Sequence, residues 1–384
     1  MLKTIAQLIS FLLISWILSS CAQHVWSFSS LTNSSSLTDA NHTLPIKKLP
    51  AHIALLLPLQ GPTGQAGNII RDGFLSAYYQ ETTSNPKPAL SFYDTASGQP
   101  ITQLYQKAIA EGADFIIGPL TKPEVITLSN YQSLTVPVLA LNYTDNNLPP
   151  NFFEFGLAPE IEAIELAQHA HDAGYNRALL IAPENSWGHR VADSLINEWQ
   201  KVGGKLSDKL FFTQREKLTS DIANLLQVKK SSADDDIPLE EKRRQDFDVI
   251  FLLATPADAR EIMPLLKYNY ILNIPVLATS TIYSGKPDPA ADIDLNGIHF
   301  SETPWILQLA NKHATHNNSR YFSRLYAVGR DAWLLATQID QLRANPQIST
   351  TGATGELNLL IDQRIYRHPV WAEFRNGYAT PEAR

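Results

Sequence analysis

The sequence predicts an α/β fold: two doubly wound lobes of mostly parallel sheet, joined by a hinge of several strands. Three observations predict it. Apolar runs such as Ile53 to Leu57 are continuous rather than alternating, as in strands covered on both faces. Segments with apolar residues at helical spacing separate these runs, the order expected of a parallel sheet with helical crossovers. The alternation starts again after Phe152, which gives two similar lobes.

The run Ile53 to Leu57 stops at Pro58 and passes through Gln60, Gly61, Pro62, Thr63 and Gly64 into a helix with Ile70, Phe74, Ala77 and Tyr78 at its apolar positions. Strand Leu90 to Tyr93, helix Ile101 to Glu111, strand Phe115 to Ile117, helix Lys122 to Asn130 and strand Val136 to Leu141 complete the first series. The second series opens with the short strand Phe152 to Phe155. It continues with helix Glu160 to Ala173, strand Ala178 to Ala182, helix His189 to Val202 and strand Lys205 to Phe211. Helix Ser220 to Lys229, strand Val249 to Ala254, helix Ala257 to Tyr268 and strand Pro275 to Ala278 close it. Between Lys229 and Asp246 five basic and six acidic residues and a proline mark a solvated excursion. Tyr321 to Leu342 reads as a long helix, with Phe322, Leu325, Tyr326, Ala332, Trp333 and Ala336 apolar. A polar stretch from Thr350 to Gly355 then leads to strand-like Leu357 to Ile361. This tail is expected to cross back between the lobes, a hinge that permits closure. The expected division is a first lobe of about 51–155 with 314–345 and a second of about 156–313 with 346–378.

The 384 residues, 44% hydrophobic and 18% charged, suffice for two ordinary cores and exclude a disordered or collagen-like chain. Lys and Arg number 31 against 38 Asp and Glu, a net charge of −7, so no basic surface is expected to track nucleic acid. A single cysteine rules out an internal disulfide and a thiolate cluster, and the ten scattered histidines show no metal spacing. No cofactor or metal is expected.

The cysteine lies at an informative place. Lys3 precedes an apolar stretch from Ile5 to Leu18, too short to span a bilayer comfortably and of the length of a signal-peptide core. Leu18-Ser19-Ser20-Cys21 ends it and resembles the bacterial lipobox, in which the thiol is acylated and becomes the mature N-terminus. Residues 1–20 are then a signal peptide, and removal of Lys3 takes the net charge from −7 to −8. Ala22 stands where an aspartate would retain the anchor in the inner membrane, so the lipobox resemblance implies the outer membrane. Ser- and Thr-rich residues 21–50 form a lipidated flexible tether, leaving 51–378 as the bilobed domain.

Several long motifs, in order, resemble a known family. Ile53-Ala-Leu-Leu-Leu-Pro-Leu-Gln-Gly-Pro, Phe115-Ile-Ile-Gly-Pro-Leu, Phe152-Phe-Glu-Phe-Gly-Leu and Leu252-Leu-Ala-Thr-Pro are similar to the LppC lipoproteins, the LpoA group of penicillin-binding-protein activators. Gly297-Ile-His-Phe-Ser-Glu-Thr-Pro-Trp, Tyr326-Ala-Val-Gly-Arg-Asp-Ala-Trp and Gly352-Ala-Thr-Gly-Glu-Leu continue the likeness. The resemblance implies a fold like the type I periplasmic binding proteins and a regulatory role toward a class A peptidoglycan synthase, without enzymatic activity. Better-known members carry a helical-repeat domain between anchor and bilobed domain; here only the tether fills that place.

In such sheets ligands sit beyond the carboxyl ends of the strands. The candidates are Gln60, Thr63, Gly118, Thr121, Asn142 and Tyr143 in the first lobe, and Asn185, Ser186, Trp187, Thr255, Ser280 and Thr281 in the second. Hydroxyls and amides there suit a carboxylate or amide, and Trp187 or Tyr143 an apolar group. The same Ser, Thr and Asn residues are also ordinary helix caps. Gly61, Gly64 and Gly67 match neither a dinucleotide nor a phosphate loop and read as a tight turn. No nucleophile elbow or metalloprotease motif is present, and Ser186 near His189 lacks a visible orienting partner. Arg330-Asp331 and Glu302 to Trp305 read as packing or hinge support; Trp187, Trp305 and Trp371 are buried aromatics or interface anchors. The expectation is therefore an outer-membrane lipoprotein that binds and activates a class A penicillin-binding protein. The alternative is a receptor for an amino acid or peptide that closes on its ligand.

Overall fold

The computed structural model describes residues 49–82, 86–213, 215–228, 243–311 and 323–382. The signal peptide, Cys21, nearly all of the tether, the charged run 229–242 and the expected helix start at Tyr321 and Phe322 lie outside them. Strand β1 (His52–Leu57) begins the first sheet, followed by α1 (Gly64–Gln80), β2 (Ala89–Asp94), α2 (Ile101–Ala110), β3 (Phe115–Ile117), α3 (Lys122–Ser129), β4 (Val138–Ala140) and β5 (Phe152–Glu154). These strands order β2-β1-β3-β4-β5, every pair parallel. Side chains of β1 show why its apolar run is unbroken. Ile53, Leu55 and Leu57 enter the core on one face of the sheet, Ala54 and Leu56 the core on the other.

The second series repeats that order. It comprises α4 (Pro159–Asp172), β6 (Arg177–Pro183), α5 (Ser186–Lys201), β7 (Lys205–Phe212), α6 (Leu218–Leu225), β8 (Val249–Leu252), α7 (Pro256–Tyr268), β9 (Val276–Ala278) and β10 (Ile298–Glu302). Its strands run β7-β6-β8-β9-β10 in parallel, and again alternate residues feed two cores, Leu179 and Ile181 on one side, Ala178, Leu180 and Ala182 on the other.

The remaining elements connect the two sheets. Helix α8 (Pro304–Asn311) sets Ile306 and Leu307 in the second-sheet core, whereas α9 (Arg324–Ala344) sets Val328, Trp333, Leu335 and Ile339 in the first. Strands β11 (Ser349–Thr351), β12 (Glu356–Leu359) and β13 (Ile365–His368) form a small antiparallel sheet; β14 (Val370–Arg375) and β15 (Tyr378–Pro381) then add antiparallel to β10. Here the structure departs from the expected division of 346–378. Leu357, Leu359 and Ile365 pack into the first core, and only the segment from Val370 joins the second sheet. Strand β12 also stops at Leu359, because Leu360 donates its amide to the Arg364 carbonyl at 2.8 Å and closes a turn.

Candidate functional site

Both sheets reverse their strand order beside the first strand of the series, between β1 and β3 and between β6 and β8, the switch points at which open α/β sheets bind ligands. Eight of the twelve candidates follow those four strands, whereas Asn142 and Tyr143 follow β4 and Ser280 and Thr281 follow β9, and most already have partners within the protein. In the first sheet, Gln60 donates to the Asp94 carboxylate (3.0 Å) and Thr121 to that of Glu124 (2.6 Å). Asn142 donates to the Leu120 carbonyl (3.0 Å), and its own oxygen accepts the Tyr143 amide (2.9 Å). Gly118 is buried, its amide donating to the Leu139 carbonyl, and Thr63 is exposed without a capping bond. Tyr143 donates its hydroxyl to the Ile365 carbonyl at 2.7 Å, and burial pushes its pKa upward, so it remains a neutral donor.

In the second sheet Asn185 caps α5 by accepting the Gly188 amide (2.8 Å), and Thr255 caps α7 in a reciprocal capping box with Asp258. Ser186 is exposed as the first residue of α5, Trp187 packs half-buried beside the second-sheet core, and Thr281 pairs with Thr279 (2.8 Å). Ser280 is buried and gives both its hydroxyl (2.7 Å) and its amide (3.2 Å) to Glu162. Capping therefore accounts for Asn185 and Thr255, Ser280 belongs to a network that binds the sheets together, and Tyr143 ties the loop after β4 to β13 within the first lobe. Cavities of 290, 480 and 450 Å³ are lined by none of the twelve candidates. The first lies by Leu49, Asp114 and Asn151, the second by Arg375 and Tyr378, the third by Gln80, Trp305 and Arg330.

That network is the feature sequence reasoning missed. Glu162 on α4 and Arg367 on β13 are both buried and pair at 2.6 Å, and Arg367 also donates to the Thr354 carbonyl (3.2 Å). Helix α4 packs on the second sheet through Ala163 and Leu166, and β13 on the first through Ile365, so this ion pair joins the two. A second tie is Arg324 at the start of α9, which pairs with buried Glu302 (2.9 Å) and donates to the carbonyls of Ser280 (2.7 Å) and Tyr283 (3.0 Å). Asp331 on α9 accepts the amides of Ala353 and Thr354 and the Thr354 hydroxyl at 2.6–2.7 Å, and burial pushes its carboxyl up to about 6. The signal for Arg367 was present: with Leu357, Leu359 and Ile365 facing the core, period two carries Arg367 to the same face.

His368 adds a pH-sensitive contact. Its Nδ1 lies 2.9 Å from Glu165 on α4, and that partner raises the imidazole above its usual range. A raised folded-state value stabilises fully below the unfolded imidazole pKa, about 6.5, and the contribution fades as pH climbs through the folded value. We expect wild type to lose stability relative to His368→Gln between pH 6 and pH 9. Because the side chain is half exposed the difference should stay under about 1 kcal/mol, read as the change in urea midpoint. Identical pH profiles for the two proteins would refute it.

With this geometry in hand, comparison with known proteins is specific. The family described as "LppC putative lipoprotein" matches residues 39–377. The penicillin-binding protein activator LpoA of Photobacterium profundum is 28% identical over 352 residues, covering 86% of this chain. Only 57% of that relative's length is spanned. Among solved structures, the LpoA (YraM) C-domain from Haemophilus influenzae, described as a regulator of PBP1A, superposes with a TM-score of 0.69 at 25% identity, over 86% of this chain and all of that one. A Chromobacterium violaceum protein described as "a putative branched-chain amino acid ABC transporter" gives 0.67 at 26% identity, over 84% of this chain and all of that one. The fold expected from the motifs, mixed α/β with parallel sheets like a periplasmic binding protein, is thus the fold observed. A match running from residue 39 to residue 377 shows that the chain belongs to the LppC lipoprotein family.

Proposed function

We propose that this chain is a non-enzymatic lipoprotein that binds and activates a class A penicillin-binding protein, anchored in the outer membrane through Cys21. The observation that carries the reading is the alignment with the whole of a C-domain described as a regulator of a penicillin-binding protein. The strand ends add to it: capping and hinge bonds already use most of the polar groups that a small ligand would need. Among the described residues no helix is long and apolar enough to cross a membrane, and attachment rests on the acylated cysteine. Activation then works by population shift. A protein that binds the active synthase conformation tenfold more tightly than the inactive one moves that equilibrium by about 1.4 kcal/mol.

The test is a purified synthase assay. The soluble domain should stimulate glycan polymerisation or cross-linking, and Thr121→Ala and Ser186→Ala should stimulate within about twofold of wild type, since neither side chain is a partner contact in this reading. No stimulation by wild type refutes the reading, and a tenfold loss in a folded strand-end variant refutes the separation of cleft from activation. In cells, Cys21→Ser should abolish incorporation of labelled fatty acid; continued labelling would remove the anchor assignment. The second reading is a small-molecule receptor, favoured by the 26% identity to the protein described as "a putative branched-chain amino acid ABC transporter". Recovery of a stoichiometric metabolite from the purified domain would favour it.

A further inference from the structure

The chain passes between the two lobes after β5, after α8 and after β13, an arrangement that by itself permits closure. Polar side chains cross the same boundary beside each passage. Arg367 of the first lobe pairs with Glu162 of the second, and Glu162 accepts the hydroxyl and amide of Ser280. The Ser280 carbonyl accepts from Arg324 of the first lobe, which pairs in turn with Glu302 at the end of β10. Ser280 therefore joins the two ion pairs into one line that crosses the boundary at Arg367 and again at Arg324.

Trp305 adds an aromatic wedge at the second passage. It belongs to α8 and packs against the second core, yet its ring meets two side chains of α9 in the first lobe. It stacks on Tyr326 with centroids 5.3 Å apart, and the Arg330 guanidinium lies over it at 4.6 Å. The Trp305 amide also donates to the Ala353 carbonyl (3.0 Å), in the turn whose Ala353 and Thr354 amides Asp331 of α9 holds.

We infer that these contacts form a brace that fixes the lobes at a single angle, so that the domain moves as one rigid body instead of opening and closing about its three passages. The line holds two cations and two anions, and its charges are matched only while the lobes stay together. Rotation would carry Arg367 and Arg324 away from Glu162 and Glu302, two buried carboxylates that would lose their counter-charges. Bonds of 2.6–2.9 Å tolerate little of this, because hydrogen bonds weaken steeply as their angles bend. Trp305 would leave Tyr326 and Arg330 in the same motion, so no part of the brace yields before the rest. A surface that spans both lobes is then already ordered before any macromolecular partner arrives. The inference concerns lobe motion alone and stands apart from the activator reading.

The experiment measures spin-label distances by pulsed electron paramagnetic resonance in the chain from residue 21 onward, carrying Cys21→Ser. One label pair, Thr63→Cys with Ser186→Cys, spans the lobes at exposed positions. A second, Ser186→Cys with Lys217→Cys, lies within the second lobe and gives the width due to the labels themselves. The interlobe distribution should be single and no broader than the intralobe one, with any second distance held below about a tenth of the molecules. Arg324→Gln combined with Trp305→Leu should add a second interlobe distance and leave the intralobe pair unchanged. If circular dichroism shows that this protein does not fold, Trp305→Leu alone decides, and it should broaden the interlobe distribution. A broad or two-distance wild type overturns the brace, and so does a folded variant whose interlobe distribution matches wild type.

Discussion

Arg367→Met should cost about 3–5 kcal/mol of stability, the largest loss expected from any single change at the junction of the sheets. Arg367 is 2% exposed and its guanidinium lies 2.6 Å from the equally buried Glu162. Removing the cation leaves the buried carboxylate with the Ser280 hydroxyl and amide as its hydrogen-bond donors and only the more distant charge of Arg324 to offset it. The pair itself is a weaker stabiliser than this figure suggests, since desolvating two ions consumes most of their attraction. Replacing both partners, Glu162→Leu with Arg367→Met, should therefore recover much of the loss. Urea unfolding at pH 7 measures Arg367→Met, Glu162→Leu and the double variant, and the coupling between the two sites is the deviation from additivity. A single variant that loses under about 1 kcal/mol, or a double variant as unstable as the sum of its parts, would show that the pair does not tie α4 to β13.

This junction marks the boundary of what the sequence disclosed. The parallel sheets were legible because β1 and β6 are apolar on both faces, a pattern that only a doubly covered strand requires. Helix starts at Asn185 and Thr255 were legible because capping is local chemistry between residues three apart. The hinge strands themselves were expected, but the side-chain ties across them were not, since they join residues far apart in the chain: Glu162 to Arg367 and to Ser280, Arg324 to Glu302. No local pattern announces that a glutamate on an otherwise amphipathic helix will be buried. The last strands misled for a related reason. Leu357 to Ile361 is one apolar-rich run in sequence, yet only Leu357 and Leu359 face the core, and the backbone turns before Ile361. Exposure of Ile361 could be learned only once the turn was located.

Gly329→Ala should destabilise the protein by about 2 kcal/mol, although helix propensity alone predicts a gain of about 1 kcal/mol for the same change. The sign is decided by where helices α1 and α9 cross. A Cβ on Gly329 would lie 2.0 Å from the Ile70 carbonyl oxygen and 2.8 Å from the Phe74 amide nitrogen; one on Gly73 would lie 2.1 Å from the Tyr326 carbonyl oxygen. All these obstacles are backbone atoms, which cannot rotate away as a flexible side chain would. The helices themselves must separate. Separation strips contacts from Phe74 and Trp333, whose rings meet edge to face with centroids 5.7 Å apart, and from the Arg330 bonds to Ser76 (3.1 Å) and Gln80 (3.0 Å). It also displaces α9, which carries Arg324 and Asp331 into the hinge. Gly73→Ala should cost a similar amount for the same reason. Because one separation relieves both clashes, the double variant should lose clearly less than the sum of the singles, a deviation of at least about 0.5 kcal/mol. Denaturant unfolding of the three proteins measures this. A Gly329→Ala protein as stable as wild type, or strict additivity of the two alanines, would mean that the crossing is loose enough to admit a methyl group.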